Sequence, residues 1–204
     1  YVVHFEIHNT NDFGVPQNRR RFTLIASRVG NQEVEPKICS DKLNVSDVIG
    51  EANGFPKVEA GHVDNSSFKH SVAKITPKTL KRLKMVKKNG GDRLGFADDP
   101  ELQLPCFVGK DNSFKDTFGR LWWDKPSPTI TTKFFSVSNG RFVHPEENRA
   151  LSLREGATLQ SFPKSFEFHG TSMEAIARQI GNAVPPEYSR RIALAIIENS
   201  NGKL

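Results

Sequence analysis

Gln17, Arg19 and Arg21 stand in the string Phe13-Gly14-Val15-Pro16-Gln17-Asn18-Arg19-Arg20-Arg21. On an extended chain alternate side chains share a face, so Arg19 and Arg21 point one way and Arg20 the other. Two guanidiniums on one face, just past a glutamine, can grip a phosphate and a base carbonyl. The same triplet also fits an exposed, charged strand end. A second candidate is Gln179-Ile180-Gly181-Asn182-Ala183-Val184-Pro185-Pro186. Gly181 is placed to stop a helix and the prolines to start the next, with Asn182 and Val184 on short exposed backbone between. Such a junction offers free amides and a polar side chain to a ligand, or is an ordinary turn between helices. Thr129 and Thr131, after Pro126-Ser127-Pro128, could touch phosphate or base edges, or simply occupy a strand.

Charge adds a third candidate. Between Lys74 and Arg93 eight cations face one acid, Asp92, so this stretch alone exceeds the +6 of the whole chain. Lys81, Lys84 and Lys88 recur at helical spacing and could run along phosphates; a solvated charged face is the plainer reading. With pI near 9.4, the balance points to a polyanionic partner. Cys39 and Cys106 are the two cysteines. They give no disulfide framework and no zinc spacing, so no metal centre is expected and the implied compartment is reducing, hence intracellular. No run of about 18 apolar residues predicts a membrane span. A hydrophobic content of 36% and mean hydropathy of −0.50 are low for a self-sufficient core yet outside the disordered class. The 204 residues, beginning at Tyr1 rather than Met, suit one domain or one and a part, as a fragment would.

The elements that must position these residues follow from pattern. Residues 1–8 and 19–27 read as strands joined by a polar connection, an antiparallel hairpin at the edge of a larger sheet. A two-stranded unit is marginal alone, the first hint that more sheet belongs with it. Residues 30–70 read as irregular, with a short helical candidate at 46–51. Thr76 caps a helix predicted over 76–88, with Leu80, Leu83 and Val86 as its apolar stripe. A strand is predicted over 129–138, an Asn139-Gly140 turn next, and a return strand from Arg141 to Val143. Trp122 and Trp123 suit core packing better than a DNA face. Ser152-Leu153-Arg154-Glu155 and Thr171-Ser172-Met173-Glu174 are capping boxes of two helices. A last helix opens at Pro185-Pro186 with Tyr188, Ile192, Ala195 and Ile196 on one face.

Taken in order, the Gly14–Arg21 string, the Arg149–Pro163 segment and the Gly181–Pro185 turn together resemble the DNA cytosine-5 methyltransferase family, over nearly the whole chain. The chain resembles the C-terminal portion of such an enzyme. The resemblance implies an α/β fold: the last strands of a doubly wound, Rossmann-like sheet over 1–35, a small loop-rich target-recognition domain over 36–148, and helices returning to the sheet over 149–204. It implies that Arg19 and Arg21 hold the target base and its strand, with Gln17 shaping the turn beside the DNA. Asn182 and Val184 would touch S-adenosylmethionine, the cofactor, and residues 36–120 would read the duplex. Arg154, Glu155 and Gln160 would be structural.

The implied reaction flips a cytosine out of duplex DNA. A cysteine thiolate adds to C6, a glutamate near N3 assists, and C5 takes the methyl group. The chain carries neither the family's Pro-Cys-Gln nor its Glu-Asn-Val nor its Phe-x-Gly-x-Gly element. Pro105-Cys106 is followed by Phe107 and lies after the arginine string, against the family order, so Cys106 is not read as the nucleophile. No catalytic residue is expected within the chain. Its expected partners are double-stranded DNA and the N-terminal catalytic portion, covalently continuous or as a second subunit, with no membrane; the expected location is cytoplasmic, with the DNA. A decayed remnant that only binds DNA is the alternative.

Overall fold

The computed structural model describes residues 1–28 and 33–200. Positions 29–32, inside the first expected unit, and 201–204, at the end of the last, lie outside the described residues. Strands β1 (Val2–Asn9) and β2 (Arg20–Ser27) pair antiparallel, from Val2 opposite Ser27 to Asn9 opposite Arg20. They are the only sheet among the described residues. Four helices follow: α1 (Pro77–Met85), α2 (Leu153–Leu159), α3 (Met173–Asn182) and α4 (Pro186–Ser200). The fold is mixed, with few strands and several helices.

Period-two alternation gives the hairpin two unlike faces. His4, Glu6 and His8 share one face with Arg21, Thr23 and Ile25; Val3, Phe5 and Ile7 share the other with Phe22 and Leu24. α4 packs on the first face through Tyr188, whose ring meets Phe13 and His8. The second face is bare, with Phe5 65% and Phe22 64% exposed. On β1 the bare set is Val3, Phe5 and Ile7, while Val2 lies half-buried on the α4 side.

The rest of the molecule holds two clusters of buried apolar side chains. Leu121, Ile130, Phe134, Leu151 and Leu159 join the inner faces of α2 and α3. Leu83, Val86, Phe96 and Phe118 form the second beneath α1. α1 ends at Met85, earlier than expected, because Val86 takes an extended conformation and turns its side chain into that cluster. Asn89 and Gly90 then carry positive φ, and a Cβ on Gly90 would overlap the Trp122 ring. Trp123 packs against the main cluster, while Trp122 lies half-buried under the Arg141 guanidinium.

Three expected elements differ. The strand over 129–138 is absent: this segment is irregular chain and turns, with Ile130 and Phe134 buried in the main cluster and Val137 in the second. The return strand shrinks to Val143, bridged singly to Arg120 and Ala150. The short helical candidate resolves into two 3₁₀ turns, Val45–Asp47 and Glu51–Asn53. Of the two capping boxes, that of α2 forms fully. In α3 the cap is Ser172, one residue later than expected, which frees Glu174 to pair with Lys133 at 2.5 Å.

What replaces strand ladders in this body is arginine. Arg120, 1% exposed, donates to the carbonyls of Leu83, Val86, His144 and Glu147 and to Asn148 Oδ1. Arg141 holds the carbonyls of Gly90, Gly91 and Arg120. Arg93 holds those of Lys110, Ser113 and Phe114. Arg154 ties Ser67, Phe68, Pro163 and Phe166. A buried carbonyl without a donor costs about as much as a lost hydrogen bond, and a guanidinium's five donors satisfy several at once.

Candidate functional site

Four motif segments meet in one buried polar network. Gln17 is fully buried; its amide donates to Gln160 Oε1 at 2.7 Å, and its Oε1 accepts from Ile130 N at 2.9 Å. Gln160, at the end of α2, donates in turn to the Ile180 carbonyl. Backbone bonds run beside them: Ser127 N to Pro16 O, and Asn18 N to Ser127 O. Arg19, 4% exposed, donates to Ile130 O and Gly181 O, both at 2.9 Å. Burial, with Arg21 nearby, lowers its pKa to about 10, so it stays charged at neutral pH.

Gly181 explains itself by this crossing. It lies within α3 rather than after it, so its expected role as the stop falls to Ala183, which turns extended. A Cβ on Gly181 would sit 2.5 Å from the Thr131 carbonyl carbon and the Thr132 nitrogen. Only glycine lets α3 touch that backbone.

The candidate residues thus divide. Gln17 and Arg19 are inside, spent on main-chain groups and on Gln160, and they do not form a surface pair with Arg21. Arg19 precedes β2 and turns inward, while Arg21 is the cross-strand partner of His8. Arg21 is half-buried, with its guanidinium on the Arg20 carbonyl. Thr129 is half-buried and donates to the Asn18 carbonyl, whereas Thr131 and Asn182 are exposed. Val184 is 53% exposed. Lys81, Lys84 and Lys88 are exposed on and after α1, away from the network's hydrogen bonds. Arg82 and Arg93 of the same basic stretch are buried, which leaves a surface of lysines. Cys106 is exposed in a 3₁₀ turn.

Glu155 and Arg149 brace the network from behind. They form a buried two-bond pair at 2.8 Å. Burial works against the carboxylate, but Arg149 outweighs it, with His144 and His70 assisting, and holds Glu155 at about 2. Glu155 also accepts from Ser152 N, so the charge pair and the α2 cap are one device. Arg154, Glu155 and Gln160 are all buried and internally bonded, as a structural role requires.

The C-5 cytosine-specific DNA methylase model matches residues 1–198. The chain belongs to that family. It is 36% identical over 203 residues to the type II methylase M.HgiDII of Herpetosiphon aurantiacus, covering 96% of this chain and 55% of that protein. It is likewise 36% identical to the type II methyltransferase M1.HphI of Haemophilus parahaemolyticus, covering 98% of the chain and 50% of the relative. The chain therefore spans about half the length of the curated relatives it matches. A solved prophage-encoded DNA modification methyltransferase of E. coli superposes with a TM-score of 0.69 at 17% identity, covering 98% of this chain and 61% of that one; at that identity the likeness is one of fold. Of the expected C-terminal portion, these matches carry the family and the half-length coverage. No helix among the described residues is long and apolar enough to cross a membrane.

Proposed function

We propose that this chain is the target-recognition and pocket-completing part of a DNA (cytosine-5) methyltransferase that acts on a flipped cytosine in a specific duplex sequence. The observation that carries the reading is the network around Gln17, Arg19 and Gln160. It holds four separated segments together, while Thr131 and Asn182, next in the chain to Ile130 and Gly181, are left at the surface, and Arg21, two residues after Arg19, is half-buried. Gln17 and Arg19 are positioning residues in this scheme. Arg21 contacts the target base or its strand, and Thr129 and Thr131 lie beside the DNA. The division into residues 1–35, 36–148 and 149–204 assigns sequence reading to the middle unit.

The break between α3 and α4 fits the edge of a cofactor pocket. Asn182, the last residue of α3, offers an exposed amide and Val184, on the non-helical backbone that follows, a bare apolar side chain, beside the Gly181 carbonyl that Arg19 holds. Bound there, S-adenosylmethionine would supply the methyl group; Asn182 and Val184 would orient it and exclude water from one side. The nucleophile and the group assisting at N3 come from the remainder of the catalytic unit, covalently continuous or as a subunit, which also covers Val3, Phe5, Ile7, Phe22 and Leu24. Bare apolar patches of this kind mark interaction surfaces.

The chain alone is expected to transfer no methyl group from tritiated S-adenosylmethionine to duplex DNA. Combined with the remainder of the unit it restores cytosine-5 methylation, read by bisulfite sequencing. A stoichiometric complex that leaves every cytosine unmethylated would instead mark a DNA-binding remnant. Label incorporated by the chain alone and abolished by Cys106→Ser would overturn the assignment of the nucleophile elsewhere. DNA binding should fall with salt on a log–log slope of roughly −4 to −5, from about four to six phosphate contacts. Charge reversal at Lys81, Lys84 and Lys88 together should abolish it; an unchanged slope makes α1 a solvated face only.

A further inference from the structure

His4, Glu6 and His8 occur at i, i+2 and i+4 of β1, so all three project from the face that α4 covers. One ligand atom from each lies within 4.8 Å of the other two. We propose that they bind one divalent transition-metal ion of the zinc class, with solvent completing the coordination. Nothing in the methyl-transfer reading uses these residues.

The orientation of the two imidazoles carries the proposal. His8 Nδ1 lies 2.8 Å from Tyr188 Oη, and that hydroxyl also meets Thr23 Oγ1. His4 Nδ1 lies 3.1 Å from a Glu33 carboxylate oxygen, which can only accept. A neutral imidazole that donates from Nδ1 presents a lone pair at Nε2. His8 Nε2 stands 3.4 Å from Glu6 Oε2. His4 Nε2 is buried with no hydrogen-bond partner, an acceptor that burial leaves without a donor. Metal-binding histidines are typically fixed in this way, with the far nitrogen donating to a carboxylate or hydroxyl. Both histidines here have that support, from different elements.

The donor set matches the ion. Two imidazoles and a carboxylate make a three-ligand zinc set with an open fourth position. Bonds of about 2.0–2.1 Å put tetrahedral ligands roughly 3.4 Å apart, the separation already found between His8 and Glu6. The other separations, within 4.8 Å, would shorten as the ion binds. Around the site, Glu6 and Glu33 offset the added charge, and Arg21, opposite His8, turns its guanidinium to the Arg20 carbonyl. The bound ion would clamp β1 to α4 through His8 and Tyr188, and to the segment carrying Glu33 through His4.

The test uses the chain without an affinity tag, stripped with chelator and titrated with Co2+ and then Zn2+. Expected are one Co2+ per chain, the visible absorption of a four-coordinate site, its loss on adding Zn2+, and a raised unfolding midpoint with Zn2+. His4→Gln and Glu6→Gln should each weaken binding at least about tenfold, the scale of ligand and support losses. Glu6 is 55% exposed, so Glu6→Gln tests the site without threatening the fold. His169→Gln, at an 87% exposed histidine, should leave binding unchanged. Absence of saturable 1:1 binding by the folded chain up to about 100 µM Zn2+, or binding that survives both Glu6→Gln and His4→Gln, overturns the proposal.

Discussion

The hairpin and the body behind it meet the same requirement by opposite means. Residues 2–27 satisfy their backbone by a regular ladder, and one side of that ladder is a row of bare apolar side chains. Residues 43–182 hold isolated bridges in place of strand pairs, and beyond helices and turns they satisfy loop carbonyls with buried guanidiniums around two apolar clusters. The ladder is cheap in sequence terms, since any alternating segment can make it, but it must be covered by something. The arginine scheme needs a particular side chain at each crossing and closes on itself. The body exposes single apolar side chains such as Val63, Val108 and Phe114, while the hairpin, with Leu194, Ile196 and Ile197 of α4 also exposed, presents a row of them on one face.

The comparison breaks first at Arg120. Arg120→Met removes the shared donor of four carbonyls in the body. Each buried group left unsatisfied costs about 1–3 kcal/mol, so the body is expected to lose cooperative unfolding in a urea titration. An Arg120→Met chain that unfolds with an unchanged midpoint would show that the carbonyls have other donors and that arginine is not what closes the body.

Next comes the buried pair behind α2. The Glu155 carboxyl titrates near its ordinary value of 4.5 when unfolded and, paired with Arg149, at about 2 when folded. Its contribution is therefore full above pH 4.5 and lost as pH falls toward 2, a loss of roughly 3 kcal/mol. Glu155→Gln should destabilise the chain at pH 7 and flatten this acid limb, followed by denaturation midpoints between pH 2 and 5. An acid limb as steep in Glu155→Gln as in the parent assigns the effect to other carboxylates. Gly181→Ala, which drives a Cβ into the Thr131–Thr132 backbone, should cost about 1–3 kcal/mol by the same assay.

The hairpin should respond in the other sense. Phe5→Ser with Phe22→Ser removes two exposed rings that touch each other at 6.2 Å and little else. The stability of the chain alone should change by less than about 1 kcal/mol, its tendency to associate should fall, and its capture of the remainder of the catalytic unit should be lost. A large drop in stability would mean that the face is covered within the chain itself.

Much of this division was legible in sequence. Alternation gave both strands, and the Ser152–Glu155 box and Pro77 gave helix starts, because each is a local signal with a local cause. The failures were tertiary. Thr129-Ile130-Thr131-Thr132 has strand composition, yet the crossing of α3 at Gly181 and the amide of Gln17 hold it as turns. Gly181 has the look of a helix stop and is instead a contact. Arg93, Arg120 and Arg141 carried no pattern, since an arginine that collects carbonyls from distant loops looks in sequence like any surface cation. His4, Glu6 and His8 are legible too, because a His-x-Glu-x-His strand puts three candidate ligands on one face, a signal that cysteine spacing does not carry.

The finest division runs through a single motif. Arg19 belongs to the body: its two terminal nitrogens hold Ile130 and Gly181, and Arg19→Ala leaves both carbonyls buried without that donor, for a loss of about 2–4 kcal/mol. Arg21 belongs to the hairpin and, among the described residues, its side chain bonds its neighbour's carbonyl, so Arg21→Ala should shift stability by no more than about 0.5 kcal/mol. If Arg21 contacts the flipped base, the same change should lower methyl transfer in the complete enzyme at least tenfold, about 1.4 kcal/mol in the barrier, with duplex affinity nearly unchanged. Thermal or urea unfolding of the two alanine variants, beside single-turnover methylation and a DNA-binding isotherm, separates the roles. Equal destabilisation by both variants would merge the two arginines into one structural unit, and an Arg21→Ala enzyme with full turnover would remove Arg21 from the base pocket.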